Sequence, residues 1–83
     1  MTTPADIQLW IKQVMPSADV QVTTEDNHHF DITVIDETFE GMTMLEQHRV
    51  VHRALGEKMR TEIHGLSLHT LTPEQAENPD ADE

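Results

Sequence analysis

Eighty-three residues, 36% of them hydrophobic, fit one small domain near the lower end of what a single core stabilises, with no room for a second domain or a large enclosed active-site cavity. Sixteen acids against five Lys and Arg give a formal net charge of −11, which disfavours nonspecific attachment to phosphate backbones. Cysteine is absent, so the chain forms no disulfide, has no thiolate nucleophile and cannot itself supply a sulfur ligand to a metal.

The first predicted element is a helix opening at Thr3-Pro4-Ala5-Asp6, with Thr3 as N-cap, Pro4 in the first turn and Asp6 three residues on from the cap. Ile7, Trp10, Ile11 and Val14 follow at helical spacing, and Met15-Pro16 ends the pattern, because the residue before proline is pushed out of the α region. Ala18, Val20 and Val22 alternate with polar residues as a half-buried strand does. Phe30, Ile32 and Val34 do the same across a polar turn at 24–28, which predicts a hairpin.

Phe39-Glu40-Gly41 reads as a connector in which Gly41 is free to take positive φ. Thr43-Met44-Leu45-Glu46 repeats the capping-box spacing and opens a second helix of about three turns toward Gly56, with Met44, His48, Val51 and Leu55 on its inner face. A short helical turn is predicted within 57–62, a third strand over 63–71, and a short last helix from Thr72-Pro73-Glu74. The order α-β-β-α-(α)-β-α describes an α+β fold, helices packed on a three-stranded sheet. Glu74, Glu77, Asp80, Asp82 and Glu83 crowd the last ten residues without a base, so a domain of residues 1–76 is expected to carry a solvated, disordered acidic tail at 77–83. No apolar run reaches the ~20 residues a bilayer requires, and the N-terminus has no signal-like apolar region. A cytoplasmic protein without membrane attachment is expected, or one of an organelle stroma or matrix.

Six histidines stand out in a chain of this size. His48 falls on the apolar stripe of the second helix and reads as structural, with His52 one turn on as a solvated or capping residue. His69 lies on the strand face opposite His64 and reads as exposed. On residues alone, His64 reads as a core histidine sharing a face with Leu66 and Leu68. The pair His28-His29 is placed in the hairpin loop.

Phe39-x-Gly41, then Gln47-His48-Arg49-x-Val51, then Ile63-His64-Gly65-Leu66 with Thr70-x-Thr72-Pro73-Glu74 resemble, in order and spacing, motifs of the BolA family. The resemblance covers roughly residues 3–77 and implies a fold similar to the type-II KH domain. It also implies that His64 is a ligand of an iron–sulfur cluster, and that the hairpin loop supplies a second, variable ligand. His29-Phe30 matches the family's His-aromatic step, and His28 is an extra that could substitute, so the choice between them stays open. Further implied are a monothiol glutaredoxin as partner, with its cysteine and bound glutathione completing the shared [2Fe–2S] cluster, and a role in iron–sulfur trafficking or iron and redox sensing. A homodimer is a second arrangement open to the chain.

The missing cysteine sharpens that implication. A [2Fe–2S] cluster takes four terminal ligands, usually thiolates, and two imidazoles can replace two of them on one iron. This chain offers about two imidazoles, so a partner must bring the sulfur. Zinc held by His28, His29 and His64 alone is a weaker reading, because the spacings typical of zinc ligands are absent. The alternative function is nucleic-acid binding by a transcriptional regulator through Arg49, Arg53 and Arg60. They fall within about 40° on a helical wheel provided the helix continues past Gly56. Against it stand the acidic body, the missing Gly-x-x-Gly loop of KH domains and the scarcity of aromatic stacking platforms. The bland reading of these arginines is a solvated face with i,i+4 pairs such as Arg53 with Glu57. No catalytic motif is present, and no enzymatic activity is expected.

Overall fold

A computed structural model of the chain describes residues 2–61, 63 and 65–77. The first helix, α1 (Pro4–Val14), begins as its sequence dictates: the Thr3 hydroxyl accepts from the Asp6 N–H at 3.3 Å, and the Thr3 N–H donates to the Asp6 carboxylate at 3.0 Å. These reciprocal bonds satisfy donors that a helix start otherwise leaves open. Ile7 and Ile11 are fully buried and Trp10 packs beside them. Val14, expected to complete the stripe, is exposed, because the helix ends there and Met15 turns into the core instead.

Strands β1 (Asp19–Thr24) and β2 (His29–Ile35) pair antiparallel, and β3 (Gly65–Leu71) runs parallel to β2, giving the sheet order β1-β2-β3. Val20, Phe30, Ile32, Val34 and Thr70 face the helices and are buried, while Gln21, Thr23, Asp31, Ser67 and His69 lie exposed on the other face. The third strand starts at Gly65, later than the predicted 63. Ile63 is buried just ahead of it, and position 64 lies outside the described residues.

Between β2 and β3 the chain makes a 3₁₀ turn (Glu37–Phe39), a helix α2 (Met44–Leu55) and a short helix α3 (Lys58–Thr61). Phe39, taken from sequence as connector, is fully buried. Gly41 has φ +80°, the left-handed conformation expected for it, and Gly56 at φ +55° stops α2 with its N–H on the His52 carbonyl at 2.9 Å. The ammonium of Lys58 stands 5.1 Å from the centre of the Trp10 ring and ties α3 to α1. The last helix, α4 (Pro73–Glu77), opens with a third reciprocal cap between Thr72 and Gln75. No helix among the described residues is long and apolar enough to cross a membrane.

The inner face of α2 matches the predicted stripe at Val51 and Leu55 and departs from it in the first half of the helix. Gln47, Val51 and Leu55 are buried, His48 is half-buried, and Met44 is exposed. Burial of an amide side chain is tolerated because each of its ends has partners. The Gln47 Nε2 donates to the carbonyls of Met42 at 3.0 Å and Phe39 at 3.3 Å, and its Oε1 accepts from the Thr70 hydroxyl at 2.6 Å. One side chain thus fastens α2 both to the 3₁₀ turn and to β3.

Gln47→Leu should therefore leave two carbonyls and a buried hydroxyl without this partner and lower unfolding stability by about 2–3 kcal/mol. Thr70→Val should cost about 1 kcal/mol, and the double variant should cost less than the two added together. Denaturant unfolding of the three variants measures this; strictly additive costs would contradict the network.

Candidate functional site

The end of the hairpin is built by side chains that hold backbone. The Thr24 hydroxyl donates to the His29 carbonyl at 2.7 Å and accepts from the Asn27 N–H at 2.9 Å. Asn27 takes φ +60°, a conformation that Asn tolerates better than most residues. Asp26 then organises the two histidines. Its Oδ1 accepts from the N–H groups of His28 and His29, each at 2.9 Å, and its Oδ2 lies 3.0 Å from the His29 Nδ1. The backbone bond from His29 foremost, then that from His28 and the His29 ring itself, hold the Asp26 carboxyl far below the ordinary carboxylate range.

His29 is the first residue of β2 and not a loop residue as the sequence suggested. The β1–β2 ladder ends at the pair Thr24 and Phe30, and His29 joins the sheet through its pairing with Gly65 on β3. The Gly65 N–H also donates to the His28 carbonyl at 3.0 Å. Both histidines are therefore fastened by backbone to the start of β3. The ring of His29 lies against Gly65 so closely that a Cβ at that position would overlap it. The side chain of His29 is 73% exposed, so its imidazole is open to a partner. Beside it runs an open cleft of about 400 Å³ whose lining includes Thr23, Asp26, Asp31, Gly65 and Ser67.

His64, the principal ligand implied by the family motifs, lies outside the described residues, one position before Gly65 in sequence. His28 ends the turn and is exposed. His69 is exposed on the outer sheet face, its Nε2 3.7 Å from an Asp31 carboxylate oxygen. His52 is also exposed and contributes its carbonyl to the end of α2. His48 is half-buried, and its Nε2 has no hydrogen-bond partner among the described residues. No group of three or more His, Asp or Glu among the described residues is arranged to hold a metal ion, and the zinc set of His28, His29 and His64 includes a residue outside them.

The arginine patch needs correction. Arg49 and Arg53 are exposed one turn apart on α2, but α2 stops at Leu55 and Arg60 belongs to the separate α3. The helical wheel that grouped all three does not apply, because Gly56 breaks the helix. Among the described residues the close contacts of this kind are His29 with Asp26 and His69 with Asp31, and the Arg53–Glu57 pair does not form.

Sequence reasoning missed Asp26, Gly65 and Gln47. The signal for Asp26 was available in principle, since an aspartate two and three residues ahead of free N–H groups is the pattern of an Asx turn.

The fold agrees with known proteins. The BolA family profile, described as BolA-like protein, matches residues 9–75. The chain belongs to the BolA family. Its structure is similar to that of a BolA protein homologue from Coxiella burnetii, with a TM-score of 0.83 and 44% identity over 94% of this chain and all of that one. In sequence it is 44% identical over 55 residues to BolA-like protein 1 of Mus musculus, covering 65% of this chain and 40% of that protein. It is 36% identical over 47 residues to the DNA-binding transcriptional regulator BolA of Vibrio cholerae, covering 57% of this chain and 44% of that one. The chain spans about two fifths of the length of the first curated relatives it matches.

The bonds to Asp26 have a pH consequence. Its carboxyl has a lower pKa in the folded chain than its ordinary 3.8, so the turn is stabilised fully above that value and loses the contribution as pH falls through the folded pKa. In a carbon-13 carboxyl titration, Asp26 should remain ionised at acidities where exposed aspartates have already protonated. A midpoint at or above the ordinary value would contradict the bonded turn.

Proposed function

We propose that this BolA-family chain is an adaptor that pairs with a monothiol glutaredoxin and contributes imidazole ligands to a [2Fe–2S] cluster the two proteins share, in iron–sulfur trafficking or iron sensing. The observation that carries the reading is the outward imidazole of His29, held at one nitrogen by Asp26 and fastened beside the start of β3, next in sequence to His64. The donor set fits half a cluster. Imidazole nitrogens serve iron in mixed ligation, and this chain has no thiol with which to complete the set. A partner's cysteine and glutathione would supply the sulfur.

His29 and His64 are the residues that would hold the cluster from this side, with His28 as the substitute in the turn. A cluster so ligated has a higher potential than an all-thiolate one. What this chain's own structure contributes is the His29 nitrogen donor on a strand start rather than on a free loop. Such a presentation suits passing a cluster on or sensing it more than catalysis.

The test is the visible absorption and circular dichroism of the cluster-bridged complex. His64→Ala and His29→Ala should each alter the spectrum and speed cluster loss, with the isolated chain still folded. His28→Ala should have the smaller effect, because the Asp26 contact selects the His29 ring. A spectrum indifferent to His29 and His64 alike would remove the reading.

A second reading, sequence-specific or general nucleic-acid binding, is supported by the likeness to the Vibrio regulator. The exposed pair Arg49 and Arg53 is the surface it would use, with Arg60 on a separate element. Each phosphate contact adds roughly one unit to the slope of log affinity against log salt, so this pair predicts a slope near two and weak binding at physiological salt. Charge reversal at Arg49 and Arg53 should abolish what binding exists. Submicromolar duplex binding that these changes destroy would promote the regulator reading above the adaptor.

A further inference from the structure

Three features converge on one ring. Asp26 Oδ2 lies 3.0 Å from the His29 Nδ1, the same carboxylate takes the His29 backbone N–H at 2.9 Å, and the ring rests against the bare backbone of Gly65. An ionised carboxylate only accepts hydrogen bonds, so the nitrogen that faces it must carry the proton. In a neutral imidazole the other nitrogen, Nε2, then has the lone pair, and that is the atom free to meet a metal. Metal-binding histidines commonly donate their second ring nitrogen to a carboxylate in this manner, which fixes tautomer and orientation before the metal arrives.

We propose that Asp26 is a positioning residue for His29: it locks the imidazole as the Nδ1–H tautomer, with Gly65 as the surface the ring rests on, so that Nε2 is presented as the donor. This rests on His29 being a ligand of the shared cluster. It also gives a physical reason for His29 rather than His28 to be the ligand from the turn. The Asp26 carboxylate engages His28 through its backbone N–H, whereas it engages His29 through both backbone and ring.

The variant that isolates the effect is Asp26→Asn. Its side-chain oxygen can still accept the two backbone N–H groups, so the turn is kept, but its NH₂ now faces the ring. That favours a ring with a bare Nδ1 and a protonated Nε2, the tautomer whose outward nitrogen has no lone pair to offer iron.

Long-range proton–nitrogen correlation spectra of the isolated chain, recorded where imidazoles are neutral, report the tautomer without any cluster. The wild type should show His29 chiefly as Nδ1–H, and Asp26→Asn should shift it toward Nε2–H while the amide spectrum stays folded. In the cluster-bridged complex, Asp26→Asn should speed cluster loss to a chelator about 10–100-fold, the usual cost of removing such a supporting contact. Gly65→Ala should displace the His29 ring resonances and leave the tautomer as in the wild type. A wild-type His29 already in the Nε2–H form, or a tautomer unmoved by Asp26→Asn, overturns the positioning role. Tautomer control retained in a complex indifferent to His29→Ala overturns instead the ligand assignment on which the proposal rests, so the two failures are told apart.

Discussion

Parallel strands cannot be joined by a tight turn, so pairing β2 with β3 obliges the chain to leave the sheet after Ile35, cross over it through α2 and α3, and return at Gly65. Two results follow from that crossover. The helices it contains bring Val51 and Leu55 onto the sheet face carrying Phe30, Ile32 and Val34, which closes the core. The parallel register also sets His29 opposite Gly65, and so places the end of the hairpin beside the start of the returning strand. A one-residue slip would exchange the buried and exposed faces of β3 and part the histidine from its glycine, so core and candidate site specify the same register.

A domain of this size has little apolar area to spare, and the chain compensates with local hydrogen bonds at its element boundaries. Reciprocal caps at Thr3, Thr43 and Thr72 start three of the helices, and Gln47 joins the 3₁₀ turn, α2 and β3 through buried polar contacts. The Thr43 backbone N–H, donating to Glu46 at 2.8 Å, is also the main reason that carboxyl is held below its ordinary pKa. The turn at Asp26 uses the same chemistry in an exposed setting. Here the carboxylate does more than start an element, because it also holds a side chain that faces outward.

Elements with a strong local signal were legible in the sequence. The Thr3 and Thr43 caps, the Ile7 and Ile11 stripe, and the alternation of Phe30, Ile32 and Val34 all appear in the structure as the residues imply. What escaped was decided by contacts distant in sequence. Met44 was preferred to Gln47 as an inward residue because hydropathy cannot foresee that Thr70 and two carbonyls await the amide. His29 read as loop because its place in the sheet comes from β3 and not from the neighbouring strand of the hairpin. Arg60 joins Arg49 and Arg53 only if the helix continues past Gly56, and the backbone conformation of Gly56, where the sequence already placed the end of α2, separates them. In the candidate site, the histidine types were legible and the backbone bonds of Asp26 follow an Asx-turn pattern, whereas its contact with the His29 ring and the place of Gly65 required the fold.

The adaptor reading makes a division of labour: this chain brings nitrogen donors and the partner brings sulfur. That division is open to direct observation in a one-electron-reduced, cluster-bridged complex. Pulsed electron paramagnetic resonance on a complex in which only this chain carries nitrogen-15 histidine would report any imidazole bound to iron. The account predicts strong nitrogen-15 coupling from this chain, with part of it lost on His29→Ala. A reduced cluster with no histidine coupling from this chain would contradict it.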